Sequence, residues 1–482
     1  MSVFSKQAAR PAEPVEEAVS LSRVRQPGEL AVLAAVALGT MLAPLNSTMI
    51  AVALPHIVEE FHVDVAAAGW LVTAYLIVMA AIQPVAGKLG DLLGRRRLII
   101  GGLVVFGVAS IGAAVAPGLE MLLLFRLLQA FSGAVSLPNG VALLREIIPV
   151  ARRASSFGMV SAATSLAAAA GPPLGGFLLQ GGGWRTLFFA NVPVVLLALV
   201  LGWRAIPRTA SRPRERTVSF DIAGSLLLFI LLGGLAALLS QGRRGMDLVL
   251  VTAGTLVLIG IAIFFIRHEL RHPDPVVSLG LFRRRAFTAA SGANALSNLA
   301  MYVMLLAIPL LLAMRQGWTS AQTGLVLAVL FGVMVVFSPL GGRIADRVGR
   351  RRPAVAGTLM LALGVFPLVM AGTDIGIPLL LAGLAISGAG IGISGAGLQT
   401  SAMDSVDVTE AGVAAGVYST CRYFGSIVGS SLLGGLLGTT YTASGFQAVF
   451  IMVAVAASLS VLLALSLPSR RKYEQSRILD AP

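Results

Sequence analysis

Two stretches of this chain read almost alike: GKLGDLLGRRR at Gly87–Arg97 and GRIADRVGRRR at Gly342–Arg352, 255 residues apart. Both fit G-[KR]-[LI]-[GA]-D-x-x-G-R-R-R. Each follows the second apolar segment in a run of six. Gly87 and Gly342 are placed to let helix ends approach closely. Gly94 and Gly349 predict a tight turn with positive φ. Asp91 and Asp346 are lone acids among arginines, Arg95 and Arg350 included. Each can pair with a neighbouring Arg or face the N-terminus of a packed helix, where the backbone dipole favours a negative charge. A basic loop that only sets orientation needs the arginines alone. The repeated Gly-Asp-Gly framework points instead to a gating latch, present twice.

The sequence around the two loops is membrane protein. The apolar class is 56% of 482 residues, 54 more are Gly, and only 12% are charged. Mean hydropathy is +0.87. A water-soluble globule has no interior for that much apolar surface, and a disordered chain carries far more charge. Fourteen apolar stretches of about 20 residues follow one another, the length that crosses a bilayer. They lie near 30–54, 67–86, 98–116, 121–144, 156–180, 185–205, 221–240, 247–266, 287–313, 320–340, 354–371, 377–402, 411–437 and 447–467. Of 36 Lys and Arg, thirty fall on one side of this alternation and four on the other. Arg126 and Arg422 lie inside spans. The positive-inside rule then puts both termini in the cytoplasm. It also absorbs the net charge of +14 without a nucleic-acid partner.

The expected organisation is all-α: a disordered cytoplasmic tail (1–28), a six-helix bundle (29–206), a basic linker, two-helix insert and connector (207–285), a second six-helix bundle (286–468) and a cytoplasmic tail (469–482). Two parallel, pseudo-symmetric bundles are a transporter architecture, with the substrate site between them near the midplane. The insert at 221–266 has no charge in its centre and reads as a lipid-facing pair. Cys421 is the only cysteine, so no disulfide forms. His56, His62, His268 and His272 are too scattered to predict a metal centre, and no cofactor is expected. An integral-membrane enzyme would need a cluster of titratable groups at one interface, and none is visible. The expected partners are the bilayer, a small molecule and protons, with the chain acting as a monomer.

The doubled loop resembles the signature of the major facilitator superfamily, and other stretches resemble its fourteen-helix drug:proton antiporter branch. LNSTMIAVALP (Leu45–Pro55) is similar to the branch's LDxTIVNVALP, and RLLQAFSGA (Arg126–Ala134) to RxxQGxGGA. AGPPLGG (Ala170–Gly176) resembles the Gly-Pro motif associated with antiporters. Asp221-Ile-Ala-Gly224, Glu269, Pro275 and Leu281-Phe282-Arg283 are similar to the branch's connectors. The resemblance covers about 30–468. It implies the major facilitator fold and multidrug or metabolite export by alternating access, driven by a proton gradient across a bacterial inner membrane. It also implies that Asp91 faces the segment near Glu410 to Gly416, and Asp346 the region near Ser155.

Several residues carry the expected mechanism. Arg126 lies within a span, where a cation costs about 2.5–3.5 kcal/mol on insertion scales and so faces a polar interior. Gln129 is three residues on, on the same helix face. Arg422 is the second buried cation. With Asn46, Tyr418, Asn294, Asn298, Tyr302 and Gln399, they outline a substrate and coupling pathway. Thr48, Thr73, Tyr75, Gln83, Asn139 and Tyr423 are further candidates for its lining. Pro172 removes one helix hydrogen bond, and Gly171, Gly175 and Gly176 form a flat face expected to seal against the tenth helix.

The departures from the branch matter too. Asn46 stands where it usually has Asp. None of the 22 acids falls in the middle third of any span, and Glu120, Asp221 and Asp247 sit at span ends. An Asn does not titrate. Two buried cations without a buried carboxylate favour a neutral or anionic amphipathic substrate. An uncoupled facilitator and an uptake permease remain as rival readings. The sugar-porter motif of Pro-Glu-Ser-Pro-Arg type is missing from RAIPRTASRPRER (Arg204–Arg216).

Overall fold

The computed structural model describes residues 27–148, 150–207, 221–240, 248–273, 275–314, 318–406, 411–437 and 442–468, except for some helical side chains, Lys88, Asp91, Ser155 and Asp346 among them. All regular structure among them is helical and makes fourteen passes. These are α1 (Pro27–Phe61), α2 (Val65–Leu93), α3 (Arg95–Ala114), α4 (Leu119–Ile147), α5 (Val150–Gly182) and α6, in two pieces (Arg185–Phe189 and Asn191–Ala205). The insert is α7 (Ile222–Ser240) and α8 (Leu248–Arg271). Then come α9 (Arg285–Ala313), α10 (Ser320–Val348), α11 (Arg351–Ala371), α12 (Ile377–Asp404), α13 (Ala411–Leu437) and α14 (Ala443–Leu465). The predicted tails at 1–26 and 469–482 and the linker at 208–220 fall outside the described residues.

Helices satisfy their own backbone polar groups, which hydrocarbon demands of any lipid-exposed segment. Twelve of the described helices are long and apolar enough to cross a membrane. The described part of α2 contributes the apolar stretch Ala67–Gln83, and α13 is not among the twelve. α13 carries Arg422 and a run of hydroxyl side chains, which lower its hydropathy, and α2 carries Thr73 and Gln83. These two helices face each other.

Helix ends follow local chemistry. Gly94 (φ 89°) and Gly349 (φ 86°) adopt the positive φ that the doubled loop predicts. Their N–H groups close α2 and α10 on Gly90 O and Ala345 O, both at 3.1 Å. Thr319 and Gln322 form a reciprocal capping box that starts α10. Asp64 caps α2 by accepting from Ala67 N at 2.7 Å.

The same five pairings build each set of six. α1 packs on α5 and α6, α2 on α4, and α3 on α4 and α6; α9 packs on α13 and α14, α10 on α12, and α11 on α12 and α14. A pseudo-two-fold relates the two sets. It exchanges the two main contacts between bundles, α5 with α10 and α2 with α13.

The insert exposes most of its surface, as a lipid-facing pair does, and α7 is also docked on the bundles. α8 packs mainly on α7 and exposes Val249, Leu250, Leu256, Val257 and Phe264. α7 buries Gly224, Leu228, Leu232 and Ala236, one residue every fourth position. That stripe lies on both α2 and α13, so α7 covers one of the two seams between bundles.

Candidate transport pathway

Polar side chains from α1, α3, α4 and α6 meet at one buried point. Each comes from a helix surrounded by apolar residues, where an unpaired polar group is costly. Gln129 is the hub. Its Oε1 accepts from Asn46 Nδ2 at 2.9 Å and from Arg126 Nη1 at 3.3 Å, and its Nε2 donates to Ser110 Oγ at 2.9 Å. Asn191 Nδ2 donates to Asn46 Oδ1 at 3.3 Å. Arg126 Nε donates to Leu71 O on α2 at 3.2 Å. Arg126 is 0% exposed, and its guanidinium lies 4.4 Å from the centroid of the Tyr75 ring. Arg126 Nη2 and the Tyr75 hydroxyl are buried without a hydrogen-bond partner among the described residues.

Sequence spacing brought Arg126 and Gln129 together, and the structure adds Asn46 to them. Ser110 and Asn191 were not anticipated. The available signal was an Asn inside an apolar run, just past the break in α6.

The second bundle approaches the same region. The Tyr302 hydroxyl is 3.3 Å from Ser47 Oγ. These residues are 255 apart, the spacing of the repeated loops, so the contact lies on the pseudo-two-fold axis. Tyr302 is within electrostatic reach of Tyr423, Arg422 and Arg126, and Tyr75 of Tyr302 and Tyr423. Arg422 Nη2 donates to the Tyr423 hydroxyl at 3.2 Å, with the guanidinium 4.8 Å from that ring's centroid. Tyr418 is buried and within electrostatic reach of Arg422. Two arginines thus flank a group of tyrosines.

The other predicted residues lie further out. Asn298 Nδ2 donates to Asn294 O at 2.9 Å and to its Oδ1 at 3.0 Å, both on α9. Gln399 is exposed near the end of α12 and joins none of these bonds. Thr48 and Asn139 turn to nearby backbone, at Pro44 O (2.9 Å) and Ala86 O (2.9 Å).

The two seams differ. On the α2–α13 side, Thr73 Oγ1 is 2.9 Å from Ser430 Oγ, Gln83 Nε2 donates to the Tyr423 hydroxyl at 3.4 Å, and Thr420 Oγ1 donates to Ala80 O at 3.3 Å. On the α5–α10 side, backbone meets backbone. A Cβ on Gly176 would sit 2.5 Å from Ser320 O, and one on Gly324 would strike the Pro172 carbonyl. Of the predicted flat face, only Gly176 and Pro172 meet α10. Gly171 and Gly175 face Thr48 and Met49 on α1.

The gating loops are described in part. Gly87 and Gly342 lie in α2 and α10, and the side chains of Asp91 and Asp346 are outside the described set. The expected neighbours Glu410 and Ser155 are outside it as well. The close approach falls at Gly90, against Asn139, and at Gly341, against Ile393, whereas a Cβ on Gly342 would make an ordinary 3.8 Å contact with Ala396. Arginines of this face hold helix C-termini, where the dipole favours a cation. Arg96 donates to Ile206 O and, at 2.7 Å, to Trp203 O at the end of α6. Arg350 pairs with Asp404, and Arg284 Nη1 donates to Ser405 O at 2.8 Å, both at the end of α12. Arg95 opens α3.

Acids and histidines also gather where the sequence reading saw none. Asp221 and Glu269 are 4% and 3% exposed, and the rings of His268 and His272 lie 5.4 Å apart beside them. No three His, Cys, Asp or Glu among the described residues are arranged to hold a metal ion.

Two matched six-helix bundles that meet on a polar axis make the architecture of a secondary transporter. The chain belongs to the Major Facilitator Superfamily, whose family model matches residues 36–430 and 290–481. It is 31% identical over 421 residues to the multidrug resistance protein Stp of Mycobacterium tuberculosis (strain CDC 1551 / Oshkosh), covering 86% of this chain and 77% of Stp. It is 30% identical over 412 residues to the tetracenomycin C resistance and export protein of Streptomyces glaucescens, covering 84% and 76%. The crystal structure of a D-xylose-proton symporter superposes with a TM-score of 0.65 at 16% identity, covering 91% of this chain and 98% of the symporter, which is a likeness of fold.

Proposed function

We propose that this transporter exports small neutral or anionic amphipathic compounds by alternating access, in exchange for protons. The observation that carries the reading is the centre itself. Arg126 and Arg422 flank Tyr75, Tyr302 and Tyr423, and among the described residues no carboxylate lies with them. Aromatic faces suit a planar apolar body, and the free guanidinium edge of Arg126 suits an acidic or carbonyl oxygen. Relatives named for multidrug resistance and for tetracenomycin C export support the outward direction.

Arg126, Gln129 and Asn46 form the responsive network on one side of the pathway, and Arg422, Tyr418 and Tyr302 line the other, with Asn294 and Asn298 further out on α9. The loops of Gly87–Arg95 and Gly342–Arg350 act as latches on the basic face. Gly171, Pro172, Gly175 and Gly176 keep α5 tight against α1 and α10 and seal a leak path. The protein works as a monomer in a bacterial cytoplasmic membrane, with both termini in the cytoplasm.

The test is flux through proteoliposomes under an imposed pH step. The probes are chloramphenicol (neutral), nalidixate (anionic) and propidium (dicationic). Neutral or anionic probe accumulates against its gradient in wild type and not in Arg126→Ala. Accumulation of propidium alone would refute the substrate class. The replacement of the usual acid by Asn46 favours a second reading, an uncoupled facilitator. That reading is correct if every probe equilibrates and none accumulates.

A further inference from the structure

A proton antiporter needs a group that gains and loses a proton, and the central pathway offers no carboxylate. Among the described residues, Asp221 and Glu269 are the buried acids. They lie outside the pathway, where the insert joins the bundles. Asp221 precedes α7, and its Oδ1 accepts from Gly224 N at 2.7 Å and from His268 Nε2 at 2.6 Å. Glu269 lies in the last turn of α8, and its Oε2 accepts from Val277 N in the connector to α9 at 2.8 Å.

Each carboxylate has one oxygen left over. Asp221 Oδ2 and Glu269 Oε1 are buried and have no hydrogen-bond partner among the described residues. They face one point: a Cβ added to Gly224 would strike Asp221 Oδ2 and lie 2.6 Å from Glu269 Oε1. His272 Nδ1 is 3.9 Å from Asp221 Oδ2, beyond hydrogen-bonding reach. Two acceptors buried around one point cannot satisfy each other as they stand, because neither can donate. A single proton resolves the conflict by making one of them a donor to the other. Carboxylates that share a site do not both ionise readily.

We propose that Asp221 and Glu269 share one exchangeable proton, and that this pair is the coupling site of the transporter; the coupling half of this statement rests on the antiport reading above. The helix dipoles assign the proton. Asp221 stands at the N-terminal end of α7, which stabilises its negative charge, and Glu269 at the C-terminal end of α8, which disfavours one. The proton therefore sits on Glu269 Oε1 and is donated to Asp221 Oδ2. His272 and His268 connect the pair to solvent, with side chains 20% and 23% exposed. A proton taken up on these imidazoles passes from His268 Nε2 to Asp221 and on to Glu269. The carboxylate pair changes from two negative charges to one.

The charged groups acting on the pair are these two imidazoles. α2, which packs on α7, includes positions 88 (Lys) and 91 (Asp), α13 carries Arg422, and the turn after the connector carries Arg283. Loss of the shared proton leaves two buried like charges side by side and drives α7 away from α8. Gly224 makes that motion matter. It floors the acid pair and also begins the α7 stripe that covers α2 and α13. Protonation at the insert thus bears directly on the seam between bundles.

The test uses the full-length protein in liposomes. Infrared difference spectra between about pH 5 and about pH 8 are expected to show a protonated-carboxyl stretch that disappears as pH rises. Glu269→Gln removes that band, while its side-chain oxygen still accepts from Val277 N. Radiolabelled chloramphenicol is the flux probe. At one proton per molecule, its accumulation in wild type rises about tenfold per unit of imposed pH step, and in Glu269→Gln it does not rise. Asp221→Asn carries the same comparison if the first variant fails to insert. An unchanged infrared band in both variants, or wild-type accumulation in either, overturns the inference and leaves antiport standing. A wild type that ignores the pH step overturns antiport, and the infrared band then decides the shared proton alone.

Discussion

The α5–α10 seam and the α2–α13 seam are one contact seen twice, exchanged by the pseudo-two-fold, yet their chemistry is opposite. The first is made of backbone. Gly176 meets Ser320, and Gly324 meets Pro172, with no room for a Cβ. The second is made of hydroxyls and amides, such as Thr73 with Ser430 and Gln83 with Tyr423, and α7 lies over it. Close backbone contact gains dispersion energy but tolerates no added atom. Hydroxyl pairs are weaker and exchange partners at little cost. The difference teaches that one seam can serve as a bearing while the other can open and reclose.

Substitutions that treat the seams alike would break this comparison. The largest effect is expected from Gly324→Val. Overpacking against fixed backbone costs about 1–3 kcal/mol or more, and we expect flux to fall at least about tenfold at normal membrane levels. A Gly324→Val protein with wild-type flux would show that the bearing is not tight. Arg126→Ala comes next. It leaves Gln129 Oε1 and Leu71 O short of a donor, at about 1–3 kcal/mol for a buried group. The expected outcome is a lower apparent Tm in a thermal-shift assay together with lost accumulation. Normal stability would exclude a structural share for the network.

Two smaller effects sharpen the contrast. Leu232→Ala thins the α7 stripe and leaves a cavity that the site only partly fills. In a Cys421→Ser background, a cysteine placed by Ser430→Cys should then react several-fold faster with a permeant maleimide. An unchanged rate would mean that α7 does not cover the seam. A Thr73→Val and Ser430→Ala double-mutant cycle should give a coupling of about 0.6 kcal/mol, the average for hydrogen bonds between membrane helices. A value several times larger would make this seam as rigid as the other.

Much of the architecture was legible because it is one-dimensional. Span length, charge alternation and the repeated loop fixed fourteen passes, and Gly94 and Gly349 adopt the positive φ their places require. Arg126 and Gln129 were legible as neighbours because they are three apart on one helix. Ser110 and Asn191 were not, since nothing local says which face of α3 or α6 turns inward. Gly324 carries no motif and gains its role only from Pro172 on another helix. Asp221 reads as a span end and Glu269 as part of a flanking loop, and nothing local joins the two. The i, i+4 spacing of His268 and His272 was the available hint, since at the end of a helix it puts both rings on one face.

The Ser47–Tyr302 contact has a geometric consequence. A point on a two-fold axis is equally distant from equivalent atoms of the two halves, and stays so while the halves tilt by equal and opposite amounts. A cargo held between these two hydroxyls would be met alike from both sides whichever way the halves lean. The protein would move its walls past the cargo, and the two equivalent halves would keep an equal grip throughout.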